Sequence, residues 1–374
     1  MKPVLAILLV LATFAGGAAI VSASTPIPPV APSAVTASQP AASQPATLPA
    51  RGRGRGPGAT TGPAPLNQLA IRDVCILPDP VTKTYYMVGP SGRGVREYSS
   101  KDLITWTGPT QIYAAPADVW GAVRINSIWA PEIHKYKDKY YLFFTFDTAS
   151  PLPATADTSH KPAGSSRPLV IRGSTTAVSN SITGPFKVLQ DHAIPPTDMM
   201  TLDGTFWAED NQPYMIFSHE WVQCTVGEMW AVKLKEDLST ALDKPFLLFK
   251  SSEAAWAKVQ QEGGTVTDGP YLLTGKTGKL YMVWSSFDDR PAGHRYQVGI
   301  SISDSGKLAG PWKHQAAALL PDIDAGHSML FETFDGKLMM LLHSPGNGNT
   351  HPRIFEMEDT GETLKVVREF PNNQ

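Results

Sequence analysis

The sequence predicts an all-β fold, a five-bladed β-propeller preceded by a signal peptide and a disordered Pro/Ala-rich linker. Three observations predict it. From residue 67 onward no long segment keeps a helical apolar period, and short aromatic and β-branched runs are broken by Gly, Asp, Asn and Pro. A pattern of polar residue, short strand, turn and second apolar strand recurs five times. A motif ending in Trp or Phe comes after several of these copies, where an outer strand would lie.

The first element is an address. Lys2 supplies a positive start, Val4 to Phe14 is apolar, and Val21-Ser22-Ala23 is a small-residue cleavage site, so residues 1–23 read as a secretory signal. The apolar run is short for a membrane span. The expectation is therefore export, to the periplasm or outside the cell, with no span after cleavage. Residues 24–66 are Pro, Ala, Thr, Ser and Gly, a composition that cannot bury enough apolar surface to offset chain entropy. Eleven of the 33 prolines lie in the first 66 residues, so the remainder is less proline-rich than the whole. Arg51-Gly-Arg-Gly-Arg-Gly56 reads as a solubilising stretch in this linker. The predicted domain is 67–374.

Composition narrows the function. The 374 residues carry a formal net charge of −2, which argues against a nucleic-acid binder working by phosphate neutralisation. Two cysteines, Cys75 and Cys224, make neither a disulfide scaffold nor a zinc ribbon, and sequence leaves their pairing open. No phosphate loop, dinucleotide fingerprint or serine nucleophile elbow occurs.

The first three copies are Arg72-Asp73 with Tyr85-Tyr-Met-Val, Pro131-Glu132 with Tyr140-Tyr-Leu-Phe-Phe, and Leu202-Asp203-Gly-Thr-Phe with Tyr214-Met-Ile-Phe. Thr267-Asp268-Gly-Pro with Leu280-Tyr-Met-Val-Trp and Gly326-His327 with Leu338-Met-Met-Leu-Leu complete the set. The turns between them, such as Lys-Asp-Lys and Phe-Asp-Gly-Lys, are hairpin chemistry. Starts are spaced by 59, 71, 65 and 59 residues, room for a four-stranded blade each time. Ser100-Lys-Asp-Leu-Ile-Thr-Trp106, Ile182-Thr-Gly-Pro-Phe186 and Leu308-Ala-Gly-Pro-Trp312 suit outer strands.

In a propeller the first strand of each blade lines the axis, so Asp73, Glu132, Asp203, Asp268 and His327 are expected to ring one end of the axial cavity. Buried carboxylates are costly unless paired or used, and five such heads together point to a site. The second strands return to the same rim, bringing His219, Glu220, Trp221 and Trp284. Trp129 and Phe287 flank the acids as well. Paired carboxylates with aromatic walls suit glycoside hydrolysis, in which one protonates the leaving oxygen and the other activates water or attacks. A calcium loop of the D-x-D-x-D-G kind is absent from the sequence. Glu262-Gly-Gly reads as loop and Asp79 as turn chemistry, while Arg72 is expected to pair with a pocket carboxylate.

These motifs resemble glycoside hydrolase family 43 across about residues 67–370: Arg72-Asp73, Tyr85-Tyr86, Ser100 to Trp106, Trp129-Ala-Pro-Glu-Ile-His134, Leu202-Asp203-Gly-Thr-Phe206, Asp268-Gly-Pro270 and Gly326-His327. The resemblance implies an inverting glycosidase, arabinosidase- or xylosidase-like, acting on arabinofuranosides, xylosides or galactosides, and no residue of the sequence chooses among them. Asp73 would be the general base, Asp203 the carboxylate that orients and tunes the acid, and His327 an axial histidine that in some members helps hold a central cation. Glu132 would contribute to the pocket. Where the family has Glu-Gly-Pro this chain has Asp268, whose oxygens sit about 1.5 Å further back. Glu220 or Asp268 is then the acid.

The expected substrate contacts are Glu132, Trp129, His219, Trp221, Trp284 and His327, and the partner is a carbohydrate, not nucleic acid. No cofactor is expected to be required, with a structural calcium at the axis held by His327 as the one candidate metal. The rival readings are a non-catalytic sugar-binding propeller and a retaining or fructosyl-transferring enzyme with closer carboxylates.

Overall fold

The computed structural model describes residues 62–116, 123–259, 263–288 and 294–371. The signal, most of the linker with Arg51 to Gly56, and Glu262 lie outside them. Five antiparallel sheets succeed one another in chain order, each built around one continuous segment. Blade I spans Cys75–Asp79 to Thr105–Ala114, and blade II runs from Ile125–Tyr136 to Lys187–Val188. Blade III runs from Thr201–Glu209 to Phe246–Lys250, blade IV from Asp268–Thr274 to Trp312–His314, and blade V from Gly326–Glu332 to Leu364–Phe370. The first two strands of each blade are the hairpins read from the sequence.

Burial on both faces explains the packing. The second strands lie inside the sheets, covered on both faces, and read as unbroken apolar runs: Leu280 to Ser286 are all buried. The outer-strand motifs carry a local lock. The Trp106 indole N–H donates to the Leu103 carbonyl at 3.1 Å, and Trp312 does the same to Leu308 at 2.9 Å. Each ring thus packs inward with its one polar group satisfied.

Strand pairing among the described residues reaches slightly before residue 67. Ala64–Pro65 pairs with the outer strand of blade I, with Ala64 opposite Trp106. Because blade V is made wholly of C-terminal strands, the ring closes without a shared sheet. Blades I and V meet through the Asp73 N–H to His343 Nδ1 at 3.3 Å and the Phe334 N–H to the Tyr85 hydroxyl oxygen at 3.1 Å.

The axis has a repeating backbone feature. Asp73, Ala130, Asp203, Gly269 and His327 all have positive φ, between 42° and 55°. In blades II to V the pairing of the first strand with the second breaks at this point. Left-handed backbone in a non-glycine residue costs about 1–3 kcal/mol and turns the side chain away from the pleat. Each kink frees an N–H, and those of blades III to V are caught by the preceding blade: Asp203 N to Thr145 Oγ1 at 2.7 Å, His327 N to Ser285 Oγ at 2.8 Å, and Gly269 N to Asp203 Oδ2 at 2.9 Å.

The kinks revise the register of the ring. Glu132 lies two residues past its kink, and Asp268 lies one residue before. Equivalent heads are therefore Asp73, Ala130, Asp203, Gly269 and His327, not the five polar residues aligned by sequence.

Candidate active site

A cavity of about 520 Å³ opens at the axis, and Asp73, Asp203, Glu220, Asp268, His327, Trp129 and Trp221 all line it. These are seven of the ten residues singled out from sequence. Phe287 and Arg72 line it too.

The other three lie elsewhere. Glu132 is buried beneath the cavity, where its carboxylate meets His134 Nε2 at 2.7 Å and accepts from Thr205 Oγ1 at 2.6 Å. Its two-residue offset drops it to the next layer of the axis. Trp284 is fully buried in the core, with its indole N–H on Ser301 Oγ at 2.8 Å, because its strand is covered on both faces. His219 turns outward, towards Glu228 at 3.1 Å and Gln223 at 3.1 Å, since neighbouring residues at a strand end face opposite ways.

Asp73 is held as an anion. Burial alone would raise its pKa, but His327, His343 and Arg72 outweigh that and bring it below the usual carboxylate range. Its Oδ2 accepts from Arg72 Nε at 2.9 Å, while its buried Oδ1 accepts no hydrogen bond and lies 3.5 Å from His327 Nδ1 and 3.2 Å from His343 Nδ1. Burial pushes His343 down to about 4, so this neighbour is neutral at pH 7.

The remaining acids behave oppositely. Burial and then the charge of Asp73 raise Asp203, while burial and then the charge of Asp203 raise Asp268, so both hold protons more firmly than an ordinary carboxyl. Tyr296 donates its hydroxyl to Asp268 Oδ2 at 3.0 Å. Burial also raises Glu220, against the opposing pull of Arg172, whose Nη1 donates to its Oε2.

Arg172 was not singled out from the sequence. Its Nε and Nη2 both bond Asp147 Oδ1, at 3.0 and 2.7 Å, and its guanidinium lies 4.3 Å from the centre of the Trp129 ring. Asp147 and Arg172 sit opposite each other on paired strands. Two opposite charges at one register position within Thr- and Phe-rich strands are the signal that could have found them. Tyr296 and Arg167, the latter 5.2 Å from the Trp221 ring, also line the cavity.

A calcium ion at the axis would want six to eight oxygen ligands. The oxygens that approach His327 are Asp73 Oδ1 and Asp203 Oδ2, at 3.5 and 3.7 Å, and both are already turned to its imidazole Nδ1. The described side chains do not form such a cage. Cys75 and Cys224 are both free, so the two do not pair.

A five-bladed propeller with four buried carboxylates lining one axial cavity defines the class of fold and site. Residues 65–359 match glycosyl hydrolases family 43, and the chain belongs to that family. It is 35% identical to the endo-arabinase of Bacteroides thetaiotaomicron VPI-5482, whose structure it matches with a TM-score of 0.68 over 79% of this chain and 96% of that one. It is 27% identical over 229 residues to the extracellular endo-α-(1→5)-L-arabinanase 1 of Bacillus subtilis (strain 168), covering 59% of this chain. The chain spans about 60% of the length of that curated relative. An α-L-arabinofuranosidase from Lactobacillus brevis, 16% identical over 79% of this chain and 93% of its own, shares the fold with a TM-score of 0.61. Among the described residues no helix is long and apolar enough to cross a membrane.

Proposed function

We propose that the protein is an exported hydrolase of arabinan, cleaving α-L-arabinofuranosidic bonds with inversion. The observation that carries the chemistry is the split in carboxylate character across one cavity. Asp73 is held as an anion on the cavity lining, whereas the other acids of the cavity hold protons more firmly. Such a split assigns base and acid. Water attacks the anomeric carbon as Asp73 takes its proton, and Glu220 delivers a proton to the leaving oxygen. Asp203, tied to the Gly269 N–H and reached by the charge of Glu220, is the carboxylate that orients the acid. Trp129 and Trp221 supply faces for sugar rings. The names of the two arabinan-cleaving relatives support the substrate class, and the signal-like residues 1–23 support export.

The test is digestion of linear α-1,5-arabinan and of xylan, with the anomer of the first product read by NMR. Release of inverted arabino-oligosaccharides is expected. Retained configuration would overturn the mechanism, and cleavage of xylan alone would overturn the substrate. Glu220→Gln should lose activity most on substrates with poor leaving groups. The same pattern in Asp268→Asn, with Glu220→Gln unaffected, would move the acid role to Asp268.

A further inference from the structure

We propose that Gln223 is a positioning residue for the general acid, fixing Glu220 from outside the cavity. This rests on the reading of Glu220 as that acid. Glu220 lies just past the second strand of blade III and opens a single helical turn, α1 (Trp221–Cys224). Nothing in a four-residue helix is rigid by itself, so the backbone that carries the carboxylate needs an outside brace.

Gln223 supplies one through both ends of its amide. Its Oε1 accepts from the Met200 N–H at 2.7 Å, while the Met200 carbonyl accepts from the Glu220 N–H at 2.8 Å. Met200 is thus clamped between the helix and the acid's own backbone. The Gln223 Nε2 donates to the carbonyls of Asp157 and Asp198, both at 2.9 Å. His219 Nε2 lies 3.1 Å from the same Oε1. The side chain is 3% exposed and every hydrogen-bonding position of its amide is used. The partners fix which end is oxygen, because an N–H and two carbonyls need opposite ends.

Three pieces of chain therefore meet on one side chain: the segment at Asp157, the approach to the first strand of blade III, and the strand end bearing His219 and Glu220. Only an amide of this length serves all three. Glutamate keeps the acceptor but strips both donors, and methionine keeps the volume but none of the bonds.

The surroundings do not favour a different role. His219, Cys224 and Glu228 offer ligand atoms within 4.8 Å of one another, the spacing of a cation site. However, both His219 nitrogens face hydrogen-bond partners, and Lys250 Nζ sits 2.8 Å from Glu228 Oε1. The Cys224 Sγ faces the carbonyls of His219, Glu220 and Val226 at 3.5, 3.3 and 3.1 Å, which oppose a thiolate. The cluster is the outer half of the brace.

Displacing the acid by a fraction of an ångström affects proton transfer and leaves water attack alone. The test compares the parent with Gln223→Met and Gln223→Glu on paired aryl arabinofuranosides, one with a 2,4-dinitrophenyl and one with a 4-methoxyphenyl leaving group. Proton donation contributes about 10²–10⁴-fold where the leaving group needs it. A loss of about 10–100-fold in kcat is expected on the methoxyphenyl substrate, with little change on the dinitrophenyl one and little in KM. Glutamate, which keeps the Met200 clamp, should fall between parent and methionine, and it carries the test if the methionine variant does not fold. Equal losses on both substrates, or none, would overturn the proposal. Glu220→Gln run in parallel separates the two ideas. If it shows no leaving-group dependence, the acid reading fails. If it does and the Gln223 variants do not, the brace fails.

Discussion

Replacing Arg172 by Gln removes the cation that opposes the burial of Glu220. The guanidinium donates to Glu220 and grips Asp147 with two further bonds, so the variant strips one opposite charge from each carboxylate. An opposite charge at such range lowers a carboxyl pKa by about 1–3 units, and Glu220 already lies above its ordinary value. Removing this cation leaves burial and Asp147 opposed by Arg167 alone, so the pKa of Glu220 should climb. An acid must be protonated to work, and its activity is lost as pH rises through its pKa. The basic limb of the kcat/KM profile on arabinan should therefore move upward by about 1–3 pH units. The acidic limb, set by Asp73, should stay. The rate at the optimum should fall as well, because the Trp129 ring loses the guanidinium stacked 4.3 Å from its centre. A basic limb that stays in place in a folded variant would refute the assignment of that limb to Glu220.

Asp73→Asn should reduce kcat by about 10²–10⁴-fold and erase the acidic limb, which in the parent falls only as pH drops through a depressed pKa. A variant keeping parental activity would mean the base lies elsewhere. Gly326→Ala would set a Cβ 2.1 Å from the Tyr296 ring, whose hydroxyl holds Asp268, so thermal melting should show a loss of about 1–3 kcal/mol together with lower activity. An unchanged melt would contradict that close approach. Glu228 resists burial through His219, Lys250 and Trp230, which bring it from 4.5 to about 2. Its folded pKa is depressed, so this stability is present above about pH 4.5 and lost as pH falls towards 2, a swing of about 3 kcal/mol. Glu228→Gln should be less stable than the parent in urea at pH 7, with the gap closing below pH 4.5. A gap independent of pH would discount the linkage.

The propeller was legible because each hairpin repeats the same local chemistry, an apolar run, a turn of Asp, Gly or Lys, and a second apolar run. Asp73, Asp203 and His327 were legible because a polar residue heading an axial strand has few structural uses. The assumption of a regular pleat misled. A single left-handed residue shifts the facing of its successors in the strand, so Glu132 fell to the layer below the cavity while Asp268 stayed on its rim. Trp284 misled for another reason: periodicity in a strand buried on both faces does not say which side chain reaches the rim. Arg172 and Asp147 reach the site by cross-strand pairing, and Gln223 by joining segments far apart in sequence. Such neighbours leave no local pattern.

The same kinks tie the chemistry to the fold. A regular strand would turn its side chains into the blade interfaces and keep its N–H groups in its own sheet. At Asp203 and His327 the chain turns the side chain to the axis and hands the freed N–H to Thr145 and Ser285 of the preceding blade. At Asp73 the receiving group is His343, which also sits beside the carboxylate it positions. Unpaired, each N–H would cost about 1–3 kcal/mol, on top of the strain of the left-handed residue. Presentation of the carboxylates and cohesion between blades are therefore one set of hydrogen bonds. This explains why Thr145 and Ser285, both fully buried, are polar directly after the buried Phe144 and Trp284.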